Sequence, residues 1–380
     1  MKLCAQLPTA TRAAGLGAWH RTPTSACKVM ARVAPEAPRD LSAAPALKKP
    51  LGGRGGAPLL TAYDPAYLQR KVALGEQICQ TKSGKRVGYF TEGNPSDPAL
   101  LLLHPLTNSK WYGVFPKPIP GVYLISPDRL GNGDSSPIDS SITWGEMVAP
   151  MIELLDELKV DKFYVAGHSY GAAMAIQVAA ALPDRVLGCA AVSAPAIGYY
   201  EGATTHLPKA DRTPGLIFAL SQPGCWGGFS RWLLGMVFKA QYFADKTKDP
   251  GFKASYGRMQ QSACGGTVQA WERMDKDPFL MTKLCDGPLH GCNQPLTARH
   301  ELQCLHAPAG FTYDPKSIKC QTFIYNGEKE FTALSHGQWY NKVIPGSQLI
   351  ASKEHGHASI VLEVYEILLA LVQGKAHVFP

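Results

Sequence analysis

Gly167-His168-Ser169-Tyr170-Gly171 places a hydroxyl between two residues that carry no side chain. A serine hydroxyl is a poor nucleophile until a neighbouring base takes its proton. Lys162 to Ala166 (KFYVA) reads as a strand, and the small residues after Gly171 read as a helix. A chain that passes from strand to helix at Ser169 must reverse sharply, which holds the serine at strained backbone angles with its hydroxyl exposed. Bulky side chains do not fit at 167 and 171, where backbones crowd, and Ala172 and Ala173 let the helix lie close to the sheet. The string alone is also compatible with an ordinary glycine-rich turn; the strand before it and the helix after it favour the nucleophile reading.

His357 is the candidate general base. It follows Gly356, lies past the last strand pattern and precedes the final helix. That position puts its imidazole at the C-terminal edge of a parallel sheet, the edge at which Ser169 stands. His355 competes for the role and is read as a supporting or solvent-facing residue, while His168 points away from its neighbour Ser169. A base of this kind needs a carboxylate to fix its tautomer and stabilise the imidazolium. Glu330 is favoured by position after the strand Cys320 to Tyr325, with Glu328 as the alternative. Negative charge developing on a substrate oxygen calls for two aimed backbone donors. Tyr170 N–H is one. Leu106 N–H is the other, from the loop His104-Pro105-Leu106-Thr107-Asn108-Ser109, in which Pro105 has no N–H to give.

The elements that would position these residues alternate. Val72 to Gln80 and Arg86 to Glu92 are predicted as strands around the turn Lys82-Ser83-Gly84-Lys85. Ala99 to His104, Gly121 to Pro127, Lys162 to Ala166, Val186 to Val192, Cys320 to Tyr325 and Ser347 to Ala351 follow as short apolar runs, as strands buried on both faces read. Thr143-Trp-Gly-Glu146 has the form of a capping box. Met147, Met151, Leu154, Leu155 and Leu158 then make one helical stripe, and Val361, Val364, Tyr365, Leu368 and Val372 make another. The alternation predicts an α/β fold: a mostly parallel twisted sheet with helices on both faces. It breaks between Ala196 and Lys319, where Phe229 to Tyr242 and Ser255 to Met274 have helical patterns. A structureless loop of that length is improbable. The expected division is therefore a leader and linker at 1–60, a core at 61–195 and 319–380, and a helical cap inserted at 196–318.

The chain resembles the α/β-hydrolase superfamily, specifically its serine-nucleophile members with a helical cap. The resemblance rests on the His104-Pro105 loop, the run Asp128-Arg129-Leu-Gly-Asn-Gly-Asp-Ser-Ser-Pro137, the elbow GHSYG, the Gly327-to-Glu330 step and Gly356-His357. It runs from about Lys71 to the C-terminus, and His300 to Tyr313 looks like the end of a cap. Pro105 stands where glycine is usual, and Glu330 where aspartate is commoner. Dehalogenases and epoxide hydrolases of this superfamily use a carboxylate nucleophile, so Ser169 implies acyl transfer to water instead. The resemblance implies a Ser169-Glu330-His357 triad acting on a carboxylic ester, thioester or lactone through an acyl-enzyme. An acyltransferase would use the same three residues, and a protein that kept the pocket only to bind a ligand is the third reading.

Composition narrows the setting. The chain has 380 residues, 45% of them hydrophobic, enough for a sizeable core. Its formal charge of +8 is concentrated toward the N-terminus. Beyond Leu60 the basic residues are dispersed among acids, a solvated surface rather than a nucleic-acid footprint. Met1 to Pro35 contains no Asp or Glu but has Lys2, Arg12, Arg21, Lys28 and Arg32. That composition predicts an organelle transit peptide, plastid in preference to mitochondrial; a plain disordered tail on a cytoplasmic protein is the alternative. No run of about eighteen apolar residues occurs, so no integral membrane segment is expected. The 10 cysteines form no Cys-x-x-Cys pair. They are read as buried thiols, with a disulfide among those between Cys225 and Cys304 as the alternative. No metal site and no cofactor are expected, the imagined cluster Cys285, His290, Cys292, Cys304 and His306 fitting no ligand spacing. The expected partner is a small, apolar ester-like molecule, suggested by Trp226, Phe229, Trp232, Phe238 and Tyr242 in the insertion, although aromatics at helical spacing also serve as core. Oligomeric state is not legible.

Overall fold

The computed structural model describes residues 64–106, 108–138, 142–196, 265–291, 297–305, 311–328, 330 and 333–380. The expected leader and linker at 1–60 lie outside them, as does much of the expected 196–318 cap, including its five named aromatics.

An eight-stranded sheet forms the centre. Its strands are β1 (Gln77–Gln80), β2 (Arg86–Glu92), β3 (Ala99–Leu103), β4 (Tyr123–Pro127), β5 (Phe163–His168), β6 (Val186–Val192), β7 (Gln321–Gly327) and β8 (Gln348–Ser352). Their spatial order is β1-β2-β4-β3-β5-β6-β7-β8. β2 runs antiparallel to β1 and β4, and all other pairs are parallel. After β3 the chain steps outward to β4, then returns across β3 to β5. The connections on either side of β3 thus leave in opposite directions, and a crevice opens beyond the strand ends at such a switch point. Leu103 and Gly167 are register partners there, so the His104 loop and the Ser169 turn emerge side by side.

Strand residues alternate between two apolar layers, as the two-residue period of a pleat requires. Leu101, Leu103, Val165, Ala191 and Ile324 face one layer with α2 (Trp144–Glu157), α3 (Tyr170–Ala181) and Tyr340. Leu100, Leu102, Ala166, Ala190 and Tyr325 face the other with Tyr67, Trp111 and the C-terminal helix Val364–Val372. The capping box on α2 is present: Glu146 N–H donates to Thr143 Oγ1 at 3.2 Å, and Thr143 N–H donates to Glu146 Oε2 at 2.8 Å.

The expected strand Val72 to Gln80 is corrected. Residues Pro65–Leu74 form α1, and only Gln77–Gln80 pairs as a strand. Asp64 accepts from Ala66 and Tyr67 N–H and Pro65 occupies the first turn, so the helix is started locally. Gly75 at φ 66° ends it. Val72, assigned to an apolar strand, is 71% exposed on that helix.

Between β6 and β7 the described insertion contains α4 (Val268–Asp275), α5 (Pro278–Gly291) and α6 (Thr297–Leu305). Met274, Phe279 and Leu280 join the layer around Trp111, and Cys304 and Leu305 join the layer around Trp144. Cys79, Cys189 and Cys304 are buried free thiols.

A buried charge cluster ties down the loops that follow β3 and β4. Lys110 and Asp128 are 1% and 0% exposed. Asp128 accepts from Lys110 N–H at 2.6 Å and from its ammonium at 2.9 Å, and Asp134 also meets that ammonium. Burial pulls the Lys110 pKa down, but the two carboxylates outweigh it and hold it above its usual value. Removing Asp128 leaves the buried Lys110 ammonium with Asp134 alone, whose side chain is 41% exposed. Asp128→Ala is expected to lower unfolding free energy by about 3–5 kcal/mol, against about 1 kcal/mol for the capping variant Thr143→Ala. Denaturant midpoints check this, and equal losses in the two variants would contradict it.

Candidate active site

Ser169 stands between the last residue of β5 and the first of α3, at φ 57° and ψ −122°. Non-glycine residues seldom adopt such angles, and the strain is on the order of 1–3 kcal/mol. The surroundings enforce it. Ser169 N–H donates to Val192 O at 2.8 Å, and Ser169 C=O accepts from Ala172 N–H at 2.9 Å. A Cβ at position 167 would overlap the Gly171 carbonyl, and one at 171 would overlap the carbonyls of Leu103 and His104. The two glycines of the motif are therefore required by close approach.

His357 reaches Ser169 from the loop after β8. Its Nε2 lies 2.9 Å from Ser169 Oγ, and its Nδ1 lies 3.3 Å from Glu330 Oε2. The arrangement suits the tautomer with the proton on Nδ1, leaving Nε2 to accept from the serine. Glu330 follows β7, its side chain wholly buried. Its other oxygen accepts from Gly327 N–H at 3.2 Å and from the Asn326 amide. Glu328, the alternative acid, is exposed, and its N–H is used by Ser352 O at 2.8 Å. The acid and base loops pack so tightly that a Cβ on Gly327 would overlap the His355 carbonyl.

Two other histidines lie close to this arrangement, and His168 contacts it directly. His168 lies on the opposite sheet face from Leu103, where it donates through Nε2 to the His357 carbonyl at 2.9 Å. Its ring packs 5.2 Å from the His357 ring and 5.8 Å from Tyr112. His355 is 1% exposed, which corrects the solvent-facing part of its expectation. Its Nε2 lies 3.2 Å from Glu363, a carboxylate that also holds Arg273 at 3.1 Å and His377 at 3.2 Å. The contact from His355, with those from Arg273 and His377, holds Glu363 down at about 2 against the opposing effect of burial.

The loop after β3 supplies the remaining wall. His104 is fully buried; its Nδ1 lies 2.9 Å from Pro105 O, and its Nε2 accepts from Arg129 N–H at 3.2 Å. A neutral ring protonated on Nδ1 suits these two contacts, and Arg129 Nη1 also lies 3.0 Å from that nitrogen. Burial, then the Arg129 charge, pushes the His104 pKa well below its ordinary value, consistent with that neutral form. Leu106 follows Pro105 and packs against the layer around Trp144. Tyr170 is the first residue of α3, where helix N–H groups have no partner within the helix. Its ring lies between Trp144 at 5.0 Å and the Arg129 guanidinium at 4.8 Å. The structure thus brings Ser169, His357 and Glu330 together, with Tyr170 in the elbow and Leu106 on the adjoining loop. Sequence reasoning missed the support from His168, Asn326, Arg129 and Glu301. Arg129 was legible as a charge inside a glycine-rich run, but its partner lies far away in the chain. Among the described residues, no group of His, Cys, Asp and Glu could hold a metal ion, and no helix is long and apolar enough to cross a membrane.

Burial and the neighbouring His357 and Lys283 push His168 down to about 3 against an ordinary 6.5. In the unfolded chain His168 takes up a proton below about pH 6.5, whereas in the fold it stays neutral until about pH 3. Stability is therefore lost as pH falls through that window, by about 1.4 kcal/mol per pH unit for one such group; His104 acts in the same direction. His168→Gln is expected to show a shallower loss of stability than the parent between about pH 6 and 4. Denaturant titrations at those two pH values check it, and parallel slopes would contradict it.

Comparison with known proteins places this geometry. The model of the alpha/beta hydrolase family matches residues 100–313. A haloalkane dehalogenase of Mesorhizobium japonicum is 31% identical over 103 residues, covering 27% of this chain and 33% of its own. Epoxide hydrolase 2 of Siraitia grosvenorii is 37% identical over 98 residues, covering 24% and 30%. The matching stretch thus spans about a third of these curated relatives. Among solved structures, an alpha/beta hydrolase fold protein from Nakamurella multipartita superposes with a TM-score of 0.55 at 16% identity, covering 78% of this chain and 99% of that one. The enol-lactonase from Burkholderia xenovorans does so with 0.52 at 15%, covering 78% and 98%. The match to the family model covers more than half of the sequence, and the superpositions share its fold; the chain belongs to the alpha/beta hydrolase family.

Proposed function

We propose that the protein is a serine hydrolase that cleaves a carboxylic ester, or a related thioester or lactone, through an acyl-enzyme. The observation that carries this reading is the 2.9 Å approach of His357 Nε2 to Ser169 Oγ, with Glu330 behind the same ring. Ser169 Oγ attacks the substrate carbonyl as His357 takes its proton. The carbonyl oxygen becomes an oxyanion facing Tyr170 N–H and Leu106 N–H. His357, now an imidazolium opposite Glu330, returns the proton to the departing alkoxide or thiolate. Water then attacks the acyl-enzyme by the same steps and releases the acid.

The dehalogenase and epoxide hydrolase names belong to relatives matched over about a third of their length. Their superfamily chemistry, as the sequence resemblance implies it, begins from a carboxylate at the elbow, and a serine occupies that position here. A thioesterase domain from the curacin biosynthetic pathway superposes with a TM-score of 0.51 at 16% identity, a likeness of fold. The acyltransferase reading gains one observation: 30% identity over 139 residues to the dihydrolipoyllysine-residue acetyltransferase component of an acetoin cleaving system from Cupriavidus necator. In that reading an alcohol, amine or thiol replaces water in the second half-reaction. The substrate we propose is a small, apolar acyl compound.

A fluorophosphonate probe is expected to label the protein on Ser169, and Ser169→Ala is expected to abolish both labelling and turnover of activated esters. Glu330→Gln, which keeps size but reverses the tautomer preference of His357, is expected to lower kcat by about 10⁴-fold. Labelling that survives Ser169→Ala would contradict the reading. Product analysis with and without added alcohol separates hydrolysis from acyl transfer: free acid alone supports the hydrolase, and a dominant transfer product supports the second reading.

A further inference from the structure

Arg129 is a fully buried cation whose contacts converge on both sides of the Ser169 site. Its Nη1 donates to the His104 carbonyl and its Nη2 to the Pro105 carbonyl at 3.2 Å. The central carbon of the guanidinium lies over the Tyr170 ring, 4.8 Å from its centre. The Pro105 C=O and the Leu106 N–H are two ends of one planar peptide group. A cation donating to the oxygen end fixes the plane of that group and draws electron density from its nitrogen end, which strengthens the N–H as a donor.

The charge on Arg129 requires a partner in so dry a place. That partner is Glu301 on α6, also fully buried, 2.9 Å from Nε and 2.7 Å from Nη2. Asn132 donates to the same carboxylate oxygen at 3.0 Å. Thr297, at the start of α6, donates through its hydroxyl to Gly131 O at 2.6 Å, so the helix sits on the loop that carries Arg129. The chain therefore places the counter-ion of an active-site guanidinium in the insertion between β6 and β7.

We propose that Arg129 is a positioning residue for the oxyanion hole, presetting the Pro105–Leu106 peptide from its carbonyl side, and that Glu301 makes this setting depend on the docking of α6. The proposal rests on the serine hydrolase reading, because Leu106 N–H has this work only if Ser169 generates an oxyanion. The guanidinium clamps from outside the turn in which Pro105 stands where glycine is usual, and the planar fork of arginine suits two adjacent carbonyls better than an ammonium does.

A purely structural ion pair would change stability and leave the turnover of folded protein alone. The informative variant is Arg129→Met with Glu301→Met, which removes both charges together; such replacements are often neutral or stabilising. Arg129→Lys is the companion variant, keeping the charge and the Glu301 contact but losing the fork. Both are compared with the parent in thermal midpoint, in kcat and KM on an activated ester, and in affinity for an aryl boronic acid, which forms a tetrahedral adduct on the serine. The double variant is expected to keep its midpoint and its KM within about threefold. Its kcat and boronate affinity are expected to fall about 10–100-fold, short of the about 10²–10³-fold for deleting an oxyanion donor outright. Arg129→Lys is expected to fall between the parent and the double variant. Parental kcat and boronate affinity in a folded double variant would overturn the proposal. If that variant does not fold, parental values in Arg129→Lys overturn it, and a lowered kcat at unchanged KM supports it. Fluorophosphonate labelling of the parent separates the two levels: an unlabelled parent removes the serine hydrolase reading itself, whereas a labelled parent with unaffected variants removes only the role of Arg129.

Discussion

The site depends on a close approach of backbones at the switch point of the sheet. Gly171 lies against the carbonyls of Leu103 and His104, and Gly167 lies against Gly171. That contact forces the turn through Ser169 into positive φ. It also sets the loop after β3 beside the first turn of α3, so the nucleophile and both proposed oxyanion donors follow from one packing fact. A hydroxyl on a relaxed loop would have to be ordered at each turnover. Here the ordering is done by folding, and the strain of on the order of 1–3 kcal/mol is small against the stability of a domain.

Around this contact the protein accepts several buried polar groups, each with specific partners. The His357 ring is held by Glu330 at one nitrogen, and its backbone carbonyl by His168. Glu330 is held in turn by Gly327 N–H and Asn326. Lys110 with Asp128, and Arg129 with Glu301, are ion pairs with almost no solvent exposure. Such pairs add little net stability over a well-packed apolar core. They adjoin the loops that frame Ser169, which is where precise placement matters most.

Much of this was legible in the sequence because the signals were local. The strand-turn-helix context of Ser169 needed only the residues from Lys162 to Ala173, and the capping box at Thr143 needed only four. Each run from Ala99 onward became a strand or the greater part of one, and those inside the sheet are covered on both faces, unlike the half-exposed edge strand β8. Of the two carboxylates weighed for His357, Glu330 is buried against its ring and Glu328 is exposed. The error at Val72 came from reading apolarity without its caps: Asp64-Pro65 and Gly75 mark a helix from one end to the other. The helix Ala333–Val343 went unnamed, although His336, Tyr340 and Ile344 are buried at helical spacing. What the sequence could not reveal were partners joined only by the fold. Arg129 meets Glu301 across 172 positions of the chain, and no periodicity links them.

A serine hydrolase of this kind carries its acyl group on Ser169 during turnover. Mixing the protein with a p-nitrophenyl ester, quenching in acid within the first turnover and mapping the peptides by mass tests it most directly. Close to one acyl group per chain is expected, on the peptide carrying Ser169, with a matching burst of nitrophenol. Acylation elsewhere, or steady hydrolysis with no acyl group on that serine, would contradict it.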